Sequence, residues 1–366
     1  MKNRKTDSTE IRTLIVNDSS VTSSVIQAIL NTTPHIKTVG VAVNGDESVQ
    51  LFAQFKPDIV IMDIHMPIMD GVEATRRIIQ LYPAAKILIA SATLQRNMKQ
   101  IFSALQYGAI DYVHSPHLAF NPGASVSKQQ LQASGRELLD KIELLQHLND
   151  NRVKSLQSAA DAEQPRRKQQ KNGDGIPKHA PGILAIGCST GGPTTVAKLL
   201  SKLPAPFPQP ILICQHIDPE PTRGFVSWLA EQTGLPVSIA RSGELPKSGH
   251  IYVAPGGNQN LEVTSSGALR LAPPKSGQIY LPNIDHLFSS LAKNIGKNAC
   301  AVVLTGMGKD GAEGIRQIHQ AGGHCYIQDP ESAMVKSMPN AALKALETTR
   351  GYSPEIIARI VNSLFL

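Results

Sequence analysis

Ten short apolar runs alternate with helix-periodic segments along this chain, and no other feature constrains its fold more. Five precede residue 120: Leu14–Val16, Thr38–Val43, Asp58–Met62, Lys86–Ala90 and Ile110–Val113. Five follow residue 182: Ile183–Ile186, Pro210–Cys214, His250–Ala254, Cys300–Leu304 and His324–Ile327. Strands that alternate with helices predict parallel sheets covered on both faces. The first block therefore reads as a small flavodoxin-like (βα)5 domain. The second reads as a doubly wound, mostly parallel α/β sheet. Within it, the pieces Leu261–Thr264 and Ala268–Leu271 flank Ser265-Ser266-Gly267 and predict an inserted β-hairpin. A length of 366 residues suits two such domains.

The blocks are joined by a different kind of sequence. From Ser127 to Ala160 the pattern is helical, with Leu131, Leu138, Ile142, Leu145 and Leu148 on one stripe. Residues 158–182 then carry Pro165, Pro177, Pro181 and the cluster Arg166-Arg167-Lys168, with Ile176 as the one large apolar side chain. Such a stretch buries too little to offset its ordering entropy, so it predicts a linker. The boundaries expected are a first domain over 10–125, a helical extension and flexible basic linker over 126–182, and a second domain over 183–366.

The net charge is +7, which invites a nucleic-acid reading. Residues 151–180 hold seven Lys and Arg against three Asp and Glu, so more than half of the excess sits in the linker. The second block shows no helix-turn-helix signal, and no nucleic-acid partner is expected. The basic cluster is read first as a solvated tether, with an acidic partner or neighbouring domain as the other account. The four cysteines, Cys188, Cys214, Cys300 and Cys325, are far apart and predict free buried thiols rather than a disulfide or zinc site. Met1 to Glu10 lacks the apolar core of a signal peptide, and no run approaches 18 apolar residues. A cytoplasmic, monomeric protein without membrane insertion is expected.

Chemistry-bearing residues lie at the ends of the predicted strands, where ligands bind parallel sheets of this winding. In the first block these are Asp18, Asp63 and Ser91. Two carboxylates there suit Mg²⁺; strand-end aspartates can equally be helix caps. The segments IRTLIVNDSS, PDIVIMDIHMPIMDGVEATRRI, ILIASAT and YGAIDYVHSP resemble the receiver domain of two-component response regulators. The resemblance implies that Asp63 accepts a phosphoryl group and that Asp18 and Asp63 hold Mg²⁺. It further implies that Ser91 contacts the phosphoryl group and that Tyr112 is the aromatic switch. Two positions depart from the family: Asn17-Asp18 replaces an acidic pair, and Ser115 replaces a lysine that would pair with phosphoryl oxygens. The first domain thus reads either as phosphorylatable or as a degenerate docking domain.

In the second block, Gly187-Cys188-Ser189-Thr190-Gly191 meets the nucleophile-elbow spacing. By itself this pattern fits a structural turn, a nucleophile or a phosphate cradle. His216 ends the next predicted strand, and Asp310 lies in the glycine-rich turn after a later one. Three strand ends carrying Ser, His and Asp can meet at one sheet edge, with Ser189 as nucleophile, His216 as base and Asp310 as the orienting acid. Cys188 is a rival nucleophile that should point elsewhere. His286 and His324 lack comparable partners and read as ordinary.

The stretches IGCSTGGP, ICQHID, IYVAPGGNQNLEV, LTGMGKDGAEG and QDPESAMVKSMPNAA resemble the CheB-type protein-glutamate methylesterase domain. The resemblance spans 183–366, and with the receiver and linker it covers the family's whole architecture. It implies hydrolysis of γ-glutamyl methyl esters on methyl-accepting chemoreceptors, with possible deamidation of glutamines, and no cofactor for the esterase. It also implies phosphorylation by a CheA-type histidine kinase and restraint of the esterase by the receiver. Ser189, His216 and Asp310 match its triad, and Thr190 and Met307 match positions beside its oxyanion site. The absence of phenylalanine before Thr222, and Asn258-Gln259-Asn260 in a loop that often holds histidine, point to a divergent branch serving an alternative chemosensory array. The competing reading is a receptor- or kinase-binding adaptor with a degenerate, non-phosphorylated receiver.

Overall fold

The computed structural model describes residues 10–117, 126–146, 182–278 and 280–365. The chain divides into two compact units, Met1–Val153 and Lys154–Leu366. The predicted linker lies outside the described residues except for Gly182, as does the helical stretch after Gln146 with Leu148. Among the described residues, no helix is long and apolar enough to cross a membrane.

The first unit is the expected (βα)5 arrangement. Strands β1 (Ile11–Val16), β2 (Ile36–Ala42), β3 (Ile59–Met62), β4 (Ile87–Ser91) and β5 (Asp111–His114) form one parallel sheet in the order β2-β1-β3-β4-β5. Buried helix faces on α1 (Ser20–Leu30), α2 (Gly45–Phe55) and α3 (Gly71–Leu81) pack onto it, followed by α4 (Leu94–Gln106). Ser19, Asn44 and Asp70 accept a backbone N–H at the starts of α1, α2 and α3, contacts typically worth about 1 kcal/mol each. Because β1, β3 and β4 are neighbours, Asp18, Asp63 and Ser91 share one sheet edge.

The expected continuous helix after Ser127 is broken. It forms α5 (Lys128–Ser134) and α6 (Arg136–Gln146), with Gly135 between them. A Cβ on Gly135 would sit 2.2 Å from Ile29 Cγ2, so the glycine lets the chain close onto α1. Leu138, Ile142 and Leu145 are buried as their spacing predicted.

The second unit holds a six-stranded parallel sheet. Its strands are β6 (Ile183–Cys188), β7 (Ile211–Gln215), β8 (Val237–Ile239), β9 (Ile251–Val253), β12 (Ala299–Val303) and β13 (His324–Ile327), in the order β13-β12-β6-β7-β9-β8. Five of them follow the apolar runs; β8 is a three-residue edge strand that carries no such run. All residues of β6, β7 and β12 are buried, which explains their unbroken apolar sequences. The inserted hairpin is present as β10 (Asn260–Val263) paired antiparallel with β11 (Leu269–Ala272). The helices are α7 (Gly192–Leu200), α8 (Pro219–Thr233), α9 (Ile284–Asn294), α10 (Ala312–Gln320), α11 (Ser337–Ala345) and α12 (Pro354–Phe365). On α8, Trp228 is buried and stacks on Phe225. The winding reverses between β12 and β6, and a crevice for ligands is expected at that reversal.

Candidate active site

Three adjacent strands, β12, β6 and β7, deliver the predicted triad to the reversal point. Ser189 follows β6 and is 8 % exposed. His216 follows β7, and Asp310 lies between β12 and α10, 5 % exposed. His216 Nε2 pairs with Asp310 Oδ2 at 2.8 Å. His216 Nδ1 is buried and has no hydrogen-bond partner among the described residues. A buried polar atom left unpaired is costly, so this nitrogen marks where a proton donor belongs. With Nε2 committed to the carboxylate, Nδ1 is the nitrogen that can act as base.

Asp310 is held by more than the imidazole. Its Oδ2 also accepts from Ile284 N (2.7 Å), and its Oδ1 accepts from Asp285 N (2.9 Å) and Gly311 N (3.0 Å). The first two donors are the open N–H groups at the start of α9, which need an acceptor and favour an anion. The Ser189 turn is fixed with equal care. Ser189 N donates to Thr305 O (3.0 Å), and the buried Thr305 hydroxyl lies 3.0 Å from Thr190 O and accepts from Val335 N (2.8 Å). Gln215 Nε2 donates to Ser189 O and His216 O at 3.0 and 2.9 Å. A Cβ on Gly306 would lie 2.7 Å from Ser189 Cβ and 2.1 Å from Met338 Sδ, so only glycine fits behind the serine.

Thr190 is partly exposed and adjoins Ser189. Met307 is 44 % exposed, and its neighbours Gly306 N and Gly308 N are taken by Val335 O and Ser337 Oγ. The Met307 N–H makes no hydrogen bond among the described residues. Cys188 is fully buried, its thiol donates to Gln215 Oε1 at 3.1 Å, and burial pushes its pKa far up. It is inert, as expected. All four cysteines are free.

Sequence reasoning missed several contributors. Tyr280, from the irregular segment before α9, stacks on the His216 ring at 5.0 Å and 7° and lies over Gly308. Thr305 and Gln215 lie beside motif residues but act through tertiary contacts that no spacing reports. His286 was expected to lack a partner. The hairpin instead supplies Glu262, whose Oε2 lies 2.8 Å from His286 Nε2. That acid also binds Arg270, and these partners outweigh its burial and hold its pKa below the usual range.

The first unit gathers its own candidates at the ends of β1, β3 and β4. Asp63 Oδ1 accepts from Ile64 N (2.7 Å) and Oδ2 from Asn17 Nδ2 (3.1 Å). Burial, and to a lesser degree the charge of Asp18, raise Asp63 to about 6. Asn17 Oδ1 is taken by Ser19 N, so the amide presents a donor, not a ligand, to Asp63. Ser91 is fully buried and accepts from Asn97 Nδ2 (2.8 Å), whose Oδ1 lies 2.7 Å from His65 Nε2. Ser115 is 3 % exposed and its hydroxyl has no partner among the described residues. Tyr112 packs edge-on to Phe102 at 6.4 Å, with the Lys141 ammonium 5.1 Å from its ring centre. Among the described residues no group of three or more His, Cys, Asp or Glu side chains could hold a metal ion. Asp18 and Asp63 remain as a pair of oxygen donors, which is compatible with Mg²⁺ because that ion keeps several waters and is completed by phosphate oxygens.

Comparison with known proteins places each unit in a family. The CheB methylesterase family model matches residues 184–361, and the response regulator receiver domain model matches 13–118. A protein-glutamate methylesterase/protein-glutamine glutaminase of Hahella chejuensis is 34 % identical over 351 residues, covering 96 % of this chain and 97 % of that one. One from Pseudomonas aeruginosa is 37 % identical over 355 residues, covering 96 % and 98 %. Among solved structures, the Thermotoga maritima CheB methylesterase catalytic domain covers 51 % of this chain and 100 % of its own, at 31 % identity and a TM-score of 0.47.

Proposed function

The chain belongs to the CheB protein-glutamate methylesterase family with an N-terminal receiver domain, and from that premise we propose that it hydrolyses γ-glutamyl methyl esters on chemoreceptors. The observation that carries the proposal is the buried His216–Asp310 pair, its imidazole nitrogen Nδ1 left open among the described residues, at the end of the strand next to the one that Ser189 follows. The reaction follows from these atoms. Ser189 Oγ attacks the ester carbonyl as its proton passes to Nδ1. Asp310 holds the Nε2–H tautomer and stabilises the imidazolium. The oxyanion that forms is met by N–H donors of the Thr190 and Met307 backbone. The imidazolium returns its proton to the departing methoxide, releasing methanol and an acyl-enzyme. Water, deprotonated by Nδ1, then frees the glutamate. A glutamine side chain can follow the same path with ammonia leaving, in line with the second activity in the relatives' names.

The receiver would control this chemistry through Asp63, phosphorylated by a CheA-type histidine kinase. Asp18 and Asp63 would hold Mg²⁺, which supplies charge neutralisation for the incoming phosphoryl group. Ser91 would contact that group and Tyr112 would report it. The work belongs to the cytoplasm, where receptor cytoplasmic domains are accessible. The whole-length similarity to named enzymes favours this reading over an adaptor without activity. Methanol release from methylated receptor tests it. Ser189→Ala should cut the rate about 10⁴-fold or more. Equal rates from the two proteins would end the esterase reading.

A further inference from the structure

Two carboxylates meet behind His216, although the triad uses one. Asp310 lies just before α10, yet it accepts the first N–H groups of α9, from Ile284 and Asp285. Asp285 lies in the first turn of α9, yet its Oδ1 accepts Gly314 N in the first turn of α10, at 2.6 Å. Each helix start is thus capped by an acid that belongs to the other segment. This crossing sets the two acids side by side, with Asp310 Oδ1 accepting the Asp285 N–H at 2.9 Å. Both sit over the positive ends of helix dipoles, which favours charge on each. Their mutual repulsion opposes it. Burial, reinforced by Asp310, raises Asp285 to about 6.

We propose that Asp285 is a positioning residue of the triad: it locks Asp310 against His216, and its proton sets how firmly the acid pair holds the imidazolium. The catalytic meaning of this inference rests on the methylesterase reading; the electrostatics do not. The groups that face Asp285 are few. Asp310 comes from the turn after β12, with His216 beyond it. Cys214 comes from β7, and burial together with both carboxylates pushes its thiol well up, so it stays neutral. The charged side chains near the same ends of α10 and β10, Glu313 and Glu262, are ion-paired with Arg316 and with Arg270 and His286. The charge beside Asp310 is therefore governed by Asp285. When ionised, it adds a second negative charge to the pair and raises the proton affinity of His216. When protonated, it withdraws that second charge and lowers the affinity.

Asp285→Asn removes the charge and keeps an oxygen for Gly314 N. In the full chain, the ring nitrogens of His216 are titrated by NMR between pH 5 and 9 in the wild type and the variant. The expected result is a His216 midpoint about one pH unit lower in Asp285→Asn, tenfold in proton affinity, with His286 unmoved. The wild-type curve should also carry a second inflection near pH 6, from Asp285 itself, which is readable even if the variant does not fold. Two equal midpoints, or a single-step wild-type curve, would overturn the inference. Because the titration needs no turnover, it is separate from the methanol assay. An active esterase with unmoved midpoints would sink this inference alone, and a shifted midpoint without Ser189-dependent activity would sink the esterase reading alone.

Discussion

The two units use one ground plan, side chains at the carboxyl edge of a parallel sheet, and furnish it very differently. In the esterase unit, the carboxylate of Asp310 receives four donors: His216 Nε2 and the N–H groups of Ile284, Asp285 and Gly311. In the receiver unit, the carboxylate of Asp63 meets Ile64 N and the amide of Asn17, and burial leaves it raised to about 6. The difference fits the roles proposed for the two acids. A carboxylate that orients a base is served by many donors, as Asp310 is. An under-compensated carboxylate such as Asp63 favours any event that removes or screens its charge, whether a proton, a cation or a phosphoryl bond.

The contrast can be attacked from either end. The largest effect belongs to the well-furnished site. Asp310→Asn should lower methanol release by about 10³–10⁴-fold by undoing the imidazole tautomer. A loss under tenfold would show that the four-donor cradle is only structural. An intermediate effect belongs to the receiver. Asn17→Asp replaces a donor with an oxygen ligand, and calorimetric titration of the full chain should show Mg²⁺ binding about tenfold tighter. Unchanged affinity would mean that Asn17 already serves the ion as well as an acid does. The smallest effect concerns stability. The folded pKa of Asp63, about 6, lies above its ordinary 3.8, so the folded receiver binds this proton more tightly than the unfolded chain. The contribution of this one group to stability is greatest below about pH 4 and is lost as pH rises through 6. Asp63→Asn should therefore stabilise the receiver by about 1–2 kcal/mol at pH 7.5, several degrees in the calorimetric transition, and by almost nothing at pH 4. A gain that persisted at low pH would assign it to packing rather than to charge.

Much of this arrangement was legible in the residues because buried parallel strands write themselves as apolar runs and their ends carry the chemistry. Ser189, His216 and Asp310 stand where the runs stop, and strand adjacency does the rest. What escaped lies elsewhere in the physics. Tyr280 comes from a stretch with no periodicity, so nothing announced its stacking on His216. Asp285 reads locally as an ordinary acid in a helix's first turn; its partner is another helix, 29 residues on. Glu262 reaches His286 only because the hairpin folds against α9. The break at Gly135 answers to the proximity of Ile29, and β8 is too short and too exposed at its edge to bear a pattern. Local sequence encodes which element forms, whereas these features encode which elements touch.

The burial of Trp228 on α8 has a practical corollary. It is the only tryptophan in the chain, and it belongs to the second unit. Tryptophan emission, excited at a wavelength that tyrosine does not absorb, is therefore a private channel to the esterase core. A denaturant titration followed by tryptophan emission, set against one followed by far-ultraviolet circular dichroism, separates the unfolding of one unit from that of the whole chain without a label. A phosphodonor that shifts the first curve would reveal thermodynamic conversation between the units, read from a single ring.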